Sequence, residues 1–519
     1  MQSTTNYTVN YTPNQLVLPL DLGIKIKKDS EVFTYLELTK GLGLENYFDA
    51  PSDKGRHRKN RVQILNAILF GFMVDIRSTR ALEKACQNDI RFMYLIDGMA
   101  SPSHQLINEV MKEIGDKLTY LQKALMEKIM KYENIDTEKL YIDGTKIEAD
   151  ANKYSFKWKR AILTFREKLY QKVTQALPKV NTLFNENHQR PIKIEETYTV
   201  KTLSKIVNRL VGMIDQEGIE LVYGKGKRKT EIQRQYDTFV GYLEKLEEYQ
   251  EDLEIIGPHR NSYAKIDYDA TFMHMKEDHM RNAQLKPGYN VQIGVSNEYI
   301  MVIDAYQYGS DFHTFKPLLE KYNMMYGDYP TYPVADAGYG SYDNYSYCLE
   351  KGMGLYQKYS MWAKERDPKF KKQIYNKENF RIDKNGDYRC PNNKKFEKIR
   401  EYQSTRIKSD HIMEEYECFY CMKCRQKKKC TKAKENRKIQ FIKGYDRMKQ
   451  TVIENLDSAL GIELRVQRSI QVEGTFGVIK EDMRFRRFTR TGFRGIKLEL
   501  DFIAIGYNLK KFHNKRYRS

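Results

Sequence analysis

Three acidic residues stand in settings that suit oxygen-ligand chemistry. Asp143 closes a short apolar run, Leu140-Tyr141-Ile142. Asp336 closes another, Tyr332-Pro333-Val334-Ala335, and leads into Ala337-Gly338-Tyr339-Gly340. Glu473 lies in an arginine-flanked amphipathic stretch from Arg468 to Lys480. Two carboxylates at the ends of buried strands and one on a nearby helix can hold a pair of hard divalent ions. Such ions activate water and stabilise both oxygens of an in-line phosphoryl displacement. With metals in that role no histidine base is required, and His274 and His313 read as ordinary polar residues. The bland reading stays open for each aspartate alone, since Asp-Gly and Asp-Ala-Gly also start turns at strand ends.

A second group is thiol chemistry. Cys418, Cys421, Cys424 and Cys430 crowd together, and Cys390 precedes them. In a reducing compartment this density reads as a metal site rather than a disulfide framework. Cys390, Cys421, Cys424 and Cys430 are the expected ligands of a structural Zn²⁺, which thiolates hold tetrahedrally. Cys418 is the spare or takes the place of Cys390, and reduced free thiols are the alternative.

Charge points to a polyanionic partner. The chain has 519 residues with 89 Lys+Arg against 69 Asp+Glu, a net charge of +20. Phosphate neutralisation by Lys and Arg drives binding to double-stranded DNA. From Cys421 to Lys449 there are twelve Lys/Arg and two acids, so that segment is expected to lie along DNA. Arg484, Arg486, Arg487, Arg490 and Arg494 interleave with Phe485, Phe488 and Phe493. Arginines can fork onto phosphates while the phenylalanines pack. Lys146 follows the first aspartate closely and could touch the same phosphate. Trp158, in a basic stretch, either packs or stacks on an extruded base. The longest apolar run, Ala67 to Val74, is far too short to span a bilayer. The first residues lack a secretory pattern, so a cytoplasmic location is expected.

The elements that must position these residues form an α/β pattern. Gln15 to Leu22 looks strand-like. Helical spacing runs through Val62, Leu65, Ile68, Leu69 and Phe72 on one face. Ser78 caps a further helix, and Ser101-Pro102-Ser103 starts another. This region, to about residue 135, reads as a DNA-binding domain or as a dimerisation or packing domain. A strand at 139–142 delivers Asp143. Residues 155–261 read as a helical hairpin or coiled-coil-like insertion, broken at Gly224-Lys-Gly-Lys-Arg-Lys. An antiparallel hairpin follows at 289–296 and 300–306, turning at Asn297-Glu298. Asp311 is placed to cap a helix through Phe315, Leu318 and Leu319. A buried strand ends at Asp336, and a helix from Ser341 turns Tyr345 and Leu349 inward. A mixed sheet built from 136–154 and 262–365 follows, with a basic Cys-rich insertion at 366–455 and C-terminal helices from 456 carrying Glu473. If 465–482 is one helix, Glu473, Phe476, Gly477 and Lys480 share a face.

The run from Tyr141 to Lys159 resembles the first catalytic block of DDE transposases from bacterial insertion sequences. Val334 to Gly340 resembles their second block, and Arg468 to Arg487 their third, in which a lysine follows the glutamate by seven positions, here Glu473 and Lys480. Pro287 to Gln292 and Asp311 to His313 also fit, and the likeness covers nearly the whole chain. The resemblance departs at Ser469, where related proteins carry an arginine; Arg468 and Arg465 are the nearest candidates. It implies an RNase H-like catalytic core, two Mg²⁺ or Mn²⁺ ions on Asp143, Asp336 and Glu473, and cleavage and strand transfer at terminal inverted repeats. Lys146, Arg468, Lys480, Arg484, Arg486 and Arg487 become the expected DNA contacts. A homodimer or higher assembly follows, because two element ends must meet in one complex. A nuclease of this fold without strand transfer, and a transposase-derived DNA-binding protein without activity, are the competing readings.

Overall fold

The computed structural model describes residues 26–49, 58–224, 226–275, 284–404 and 411–517. The apolar stretch from Gln15 to Leu22 lies outside them. The chain forms a mixed α/β fold around a six-stranded sheet. Its central strand, β1 (Lys139–Glu148), is antiparallel to a long neighbour and parallel to another. Two short strands, β2 (Phe156–Trp158) and β3 (Ser262–Ala264), pair with each other beside the sheet. The rest of the sheet is β4 (Thr271–His274), β5 (Leu285–Ser296), β6 (Tyr299–Tyr306), β7 (Tyr332–Gly340) and β8 (Tyr356–Tyr359). The order is β4-β5-β1-β7-β8, with β6 also on β5. The β5–β6 hairpin forms where the alternation and turn residues foretell it. Asn297 and Glu298 both adopt positive φ, 48° and 68°, the twist that a two-residue hairpin turn demands.

Among the described residues six α-helices precede the sheet: α1 (Glu31–Thr39), α2 (Arg61–Met73), α3 (Thr79–Asn88), α4 (Ile90–Ile96), α5 (His104–Ile114) and α6 (Lys117–Met130). Ser78 and Ser103 cap α3 and α5 by accepting from the Ala81 and Leu106 amides. Such caps satisfy N–H groups that the helix leaves open. The one-faced reading of α2 gives way, because the helix is buried almost all round from Ile64 to Met73. Three helices follow in the insertion, α7 (Lys159–Glu186), α8 (Val200–Gln216) and α9 (Glu231–Ile256). Beyond it come α10 (Phe315–Tyr326), α11 (Tyr342–Glu350), α12 (Tyr445–Asp457), α13 (Ala459–Gly477) and α14 (Phe493–Tyr517).

The last helix explains the burial of α2. Phe502 of α14 stacks on Phe72 at 5.0 Å, and a β-carbon on Gly506 would strike the Phe72 backbone, so the two helices meet at a glycine. α14 also covers β6 and touches α1 and α6. A single apolar core therefore runs from the first helices through the sheet to α14. In α11, Tyr345 and Cys348 face inward, whereas Leu349 points to solvent. Three- and four-residue steps both lie on one face of a helix, so spacing alone does not choose between Cys348 and Leu349.

The helical insertion has its own core of Leu169, Val173, Val180, Leu203, Leu210 and Phe239. It is a bundle of three helices rather than a hairpin. Residues 187–199, which include Pro191, divide α7 from α8, whereas Pro178 lies inside α7. Trp158 packs against Phe156 and Phe272, with ring centroids at 5.9 and 5.8 Å. The cysteine-rich segment holds a small hairpin, β9 (Arg381–Ile382) with β10 (Tyr388–Arg389). It also holds an antiparallel sheet of β11 (Glu397–Gln403), β12 (Ile412–Cys418) and β13 (Arg437–Ile442). Its core is slight: Phe380, Phe396, Cys418, Cys421 and Ile439.

Candidate active site

β1 and β7 run parallel and pair at Lys139↔Tyr332, Leu140↔Pro333 and Tyr141↔Val334, then part. Asp143 and Asp336 each lie two residues beyond the last pair, so they face each other across the opening. Neither aspartate ends its strand. β1 runs on to Glu148 because β5 supplies antiparallel partners as far as Gly288, and β7 runs on to Gly340. Backbone pairing overrides the turn tendency of Asp-Gly. The Gly144 amide donates to Asp143 Oδ1 at 2.8 Å, and the Gly338 amide donates to Asp336 Oδ1 at 2.7 Å.

A buried polar network supports this opening. Lys146 Nζ donates to Asp311 Oδ1 at 3.0 Å, with the lysine side chain only 8% exposed. Asn290 and Gln292 of β5 donate to the same oxygen at 2.7 and 3.2 Å. Asp311 thus serves the strands and does not cap a helix. The buried Tyr339 hydroxyl donates to Gln292 Oε1. Burial pushes that hydroxyl far above its ordinary range, the Asp311, Asp143 and Asp336 carboxylates add to the shift, and Arg468 opposes it. These four charged groups therefore surround one phenol. Gly144 is required here, since a β-carbon would run into the Gln292 amide directly across the strands. A β-carbon on Gly338 would likewise lie 3.0 Å from Asp336 Oδ1 and 3.4 Å from Asp311 Oδ2, so these two acids flank one point.

Basic groups line the same opening. Arg468 of α13 is 12% exposed, and its Nη1 lies 3.6 Å from Asp143 Oδ2. That nitrogen is buried and makes no hydrogen bond. Lys358 of β8 has its ammonium pushed below the usual lysine range, mainly by burial and then by Arg468 and Arg465, against the pull of Asp336. Sequence reasoning missed Lys358 and the structural part played by Asp311. For Asp311 a signal existed in its place beside the recognised blocks, but only folding brings it onto β1 and β5.

α13 packs on β1, β5 and β7. Val472 and Thr475 are buried in that contact, and Glu473 between them is exposed. The structure thus brings Asp143 and Asp336 together and sets Glu473 on the covering helix, five residues past Arg468 or about 7.5 Å of helical rise. Among the described residues, no three His, Cys, Asp or Glu side chains are already drawn in to coordinating distance. Beyond Gly477 the helix changes to a π-turn, Val478–Asp482. The wider turn rotates Lys480 away from simple three- and four-residue spacing, whereas Glu473, Phe476 and Gly477 lie within the regular helix and keep it.

The arginine-rich run is a loop stitched to the end of β1. The Phe488 amide donates to the Glu148 carbonyl at 2.9 Å, and the Glu148 amide donates to the Arg486 carbonyl at 3.3 Å. Phe485 and Phe488 are buried anchors, while Arg484, Arg486, Arg487 and Arg494 face outward. Arg486 pairs with Glu481, and Arg487 with Asp150 at 2.9 Å. Arg490 turns inward to Asn108 at 3.0 Å. Glu499 of α14 fastens the loop by accepting from the Thr489 amide at 3.0 Å and its hydroxyl at 2.8 Å.

Residues 389–513, which include Glu473 and the arginine loop, match the family model described as a transposase DDE domain. Residues 32–113, the region of α1 to α5, match the one described as a transposase domain (DUF772). The chain carries the domains of a DDE transposase. No curated protein and no solved structure matches it. A transposase acts on DNA, which agrees with the net charge of +20. Among the described residues no helix of the transposase is long and apolar enough to cross a membrane.

Proposed function

We propose that the transposase cuts phosphodiester bonds at the terminal inverted repeats of its element and joins the freed 3′ ends to target DNA. Asp143, Asp336 and Glu473 are the ligands of two divalent cations, Mg²⁺ or Mn²⁺, in this reading. The observation that carries it is the facing of Asp143 and Asp336 where β1 and β7 part, beneath the helix that bears Glu473. The strand order supports an RNase H-like core: β1, β7 and β8 run parallel, and β5 and β6 extend the other side antiparallel.

The donor set fits hard cations, being carboxylate oxygens on two rigid strands. Bound ions would lower the pKa of the attacking water or 3′-hydroxyl and stabilise the leaving 3′-oxygen. The chain's own residues do the rest. Arg468 stands 3.6 Å from Asp143 and offers its buried Nη1 to a phosphate oxygen entering the opening. Lys146 is committed to Asp311, so its part is to hold the strands under the acids. The arginine loop meets β1 at Glu148, five residues or about 17 Å along the strand from Asp143. That distance equals about five base-pair rises, so the loop grips duplex backbone beside the cut.

The test uses duplexes carrying the element's ends. Asp143→Ala, Asp336→Ala and Glu473→Ala should each remove several kcal/mol of transition-state stabilisation, about a thousandfold in cleavage rate, while DNA binding persists. Cleavage by Asp143→Ala at the wild-type rate refutes the assignment. A product joined to target DNA separates strand transfer from cleavage alone.

A further inference from the structure

The five cysteines between 390 and 430 have no part in phosphodiester chemistry, yet all five line one cavity of about 20 Å³. That is room for a single water-sized occupant. The chain approaches it through two turns that aim backbone N–H groups at sulfur. The Lys394 amide donates to Cys390 Sγ at 3.3 Å across a turn in which Asn393 takes φ 57°. The Tyr420 amide donates to the Cys418 sulfur in the same manner. Cys418 also hydrogen-bonds Cys421 and feels Cys390. Cys424 Sγ accepts from Asn392 Nδ2 at 3.7 Å, which ties it to the turn that carries Cys390. Cys430 differs, because the Arg437 guanidinium already engages its sulfur at 2.8 Å and its carbonyl at 2.9 Å.

We propose that Cys390, Cys418, Cys421 and Cys424 hold one Zn²⁺ as a tetrathiolate, with Cys430 outside the ligand set. This set differs from the one expected from spacing alone, exchanging Cys430 for Cys418. Four thiolates on a tetrahedral d¹⁰ ion need no other ligand, and adjacent C-x₂-C steps reach two corners from one turn. The sulfurs draw in from the cavity wall by side-chain rotation, and each ligating thiol releases its proton to solvent. The complex carries two negative charges, and Lys394, Lys427 and Arg437 of the cavity wall offset them. The physical need is plain, since among the described residues the buried core of this segment has only five members, two of them Cys418 and Cys421 themselves. A metal cross-link supplies what so small a core lacks.

The experiment uses the full chain purified without chelator. Elemental analysis should find one zinc per chain. Iodoacetamide labelling read by mass spectrometry should spare Cys390, Cys418, Cys421 and Cys424, modify Cys430, and reach all five once a strong chelator has removed the metal. Reconstitution with Co²⁺ alone should give the visible bands of a tetrahedral site and strong sulfur-to-metal charge transfer. Cys418→Ser should lose zinc to chelator faster than wild type, and Cys430→Ser should match wild type. Zinc below a tenth of an equivalent, iron in its place, or protection of Cys430 with labelling of Cys418 overturns the proposal. The labelling and cobalt arms need only wild-type protein, so an insoluble variant leaves the outcome decided.

Discussion

Arg468 Nη1 stands 3.6 Å from Asp143 Oδ2, and Arg468 lies on the helix that also carries Glu473. One rigid element therefore links the late acid to the first one. Arg468→Ala should lower single-turnover cleavage about a hundredfold, in line with loss of one preorganised donor, with a much smaller change in DNA affinity. Arg468→Lys should recover part of the rate. If affinity falls as far as the rate does, Arg468 is only a DNA contact.

Lys146 and Asp311 form a pair closed to solvent on the lysine side. Breaking it from one side leaves the other charge without its partner, at a cost of about 3 kcal/mol. Lys146→Met and Asp311→Asn should each destabilise the protein by that order, and the double variant by clearly less than their sum. Urea unfolding of the four proteins measures this. Simple additivity would show that the two groups do not interact.

Glu499 gives a pH signature. Burial raises its carboxyl above the usual range, outweighing the hydrogen bonds from Thr489 and Arg490 that lower it. A raised carboxyl contributes stability that is fully present below the unfolded value, about 4.3, and lost as pH rises through the folded value. Glu499→Gln cannot ionise, so its stability relative to wild type should increase as pH climbs through that window. Denaturation midpoints taken at intervals from about pH 4 to pH 7 follow the difference. A constant gap across the series argues against the shift.

Arg486 and Arg487 are exposed and paired with Glu481 and Asp150. If they exchange those partners for phosphates, each alanine variant should lower the slope of log K against log salt by about 0.9. The loss of affinity should be the same for element ends and for unrelated duplex. An unchanged slope would confine both arginines to their internal pairs.

What the chain disclosed in advance was local. The β5–β6 hairpin follows from alternation and a turn at Asn297 and Glu298, and Ser78 and Ser103 cap helices as their neighbours foretell. The two aspartates lie on strands as the apolar runs foretell, but both strands run on past them: β1 because its partner β5 joins more than a hundred residues later, and β7 because it reaches β8 again at Gly340. Asp311 read as a cap for the same reason, its true partners lying on β1 and β5. The covering of α2 by α14 could not be read from periodicity, since it depends on a helix at the other end of the chain. At Lys480 the failure was of another kind, as helical arithmetic assumes 3.6 residues per turn and the chain there adopts a π-turn.

Trp158 and Ser262 face each other across the β2–β3 pair, so the chain returns from a three-helix excursion to within a strand spacing of where it departed. Two residues of tight turn can bridge such a gap. The excursion is thus removable hardware: a shortened chain can keep its central sheet, and a different appendage can be grafted on the same pair of stumps without retuning the strands beneath.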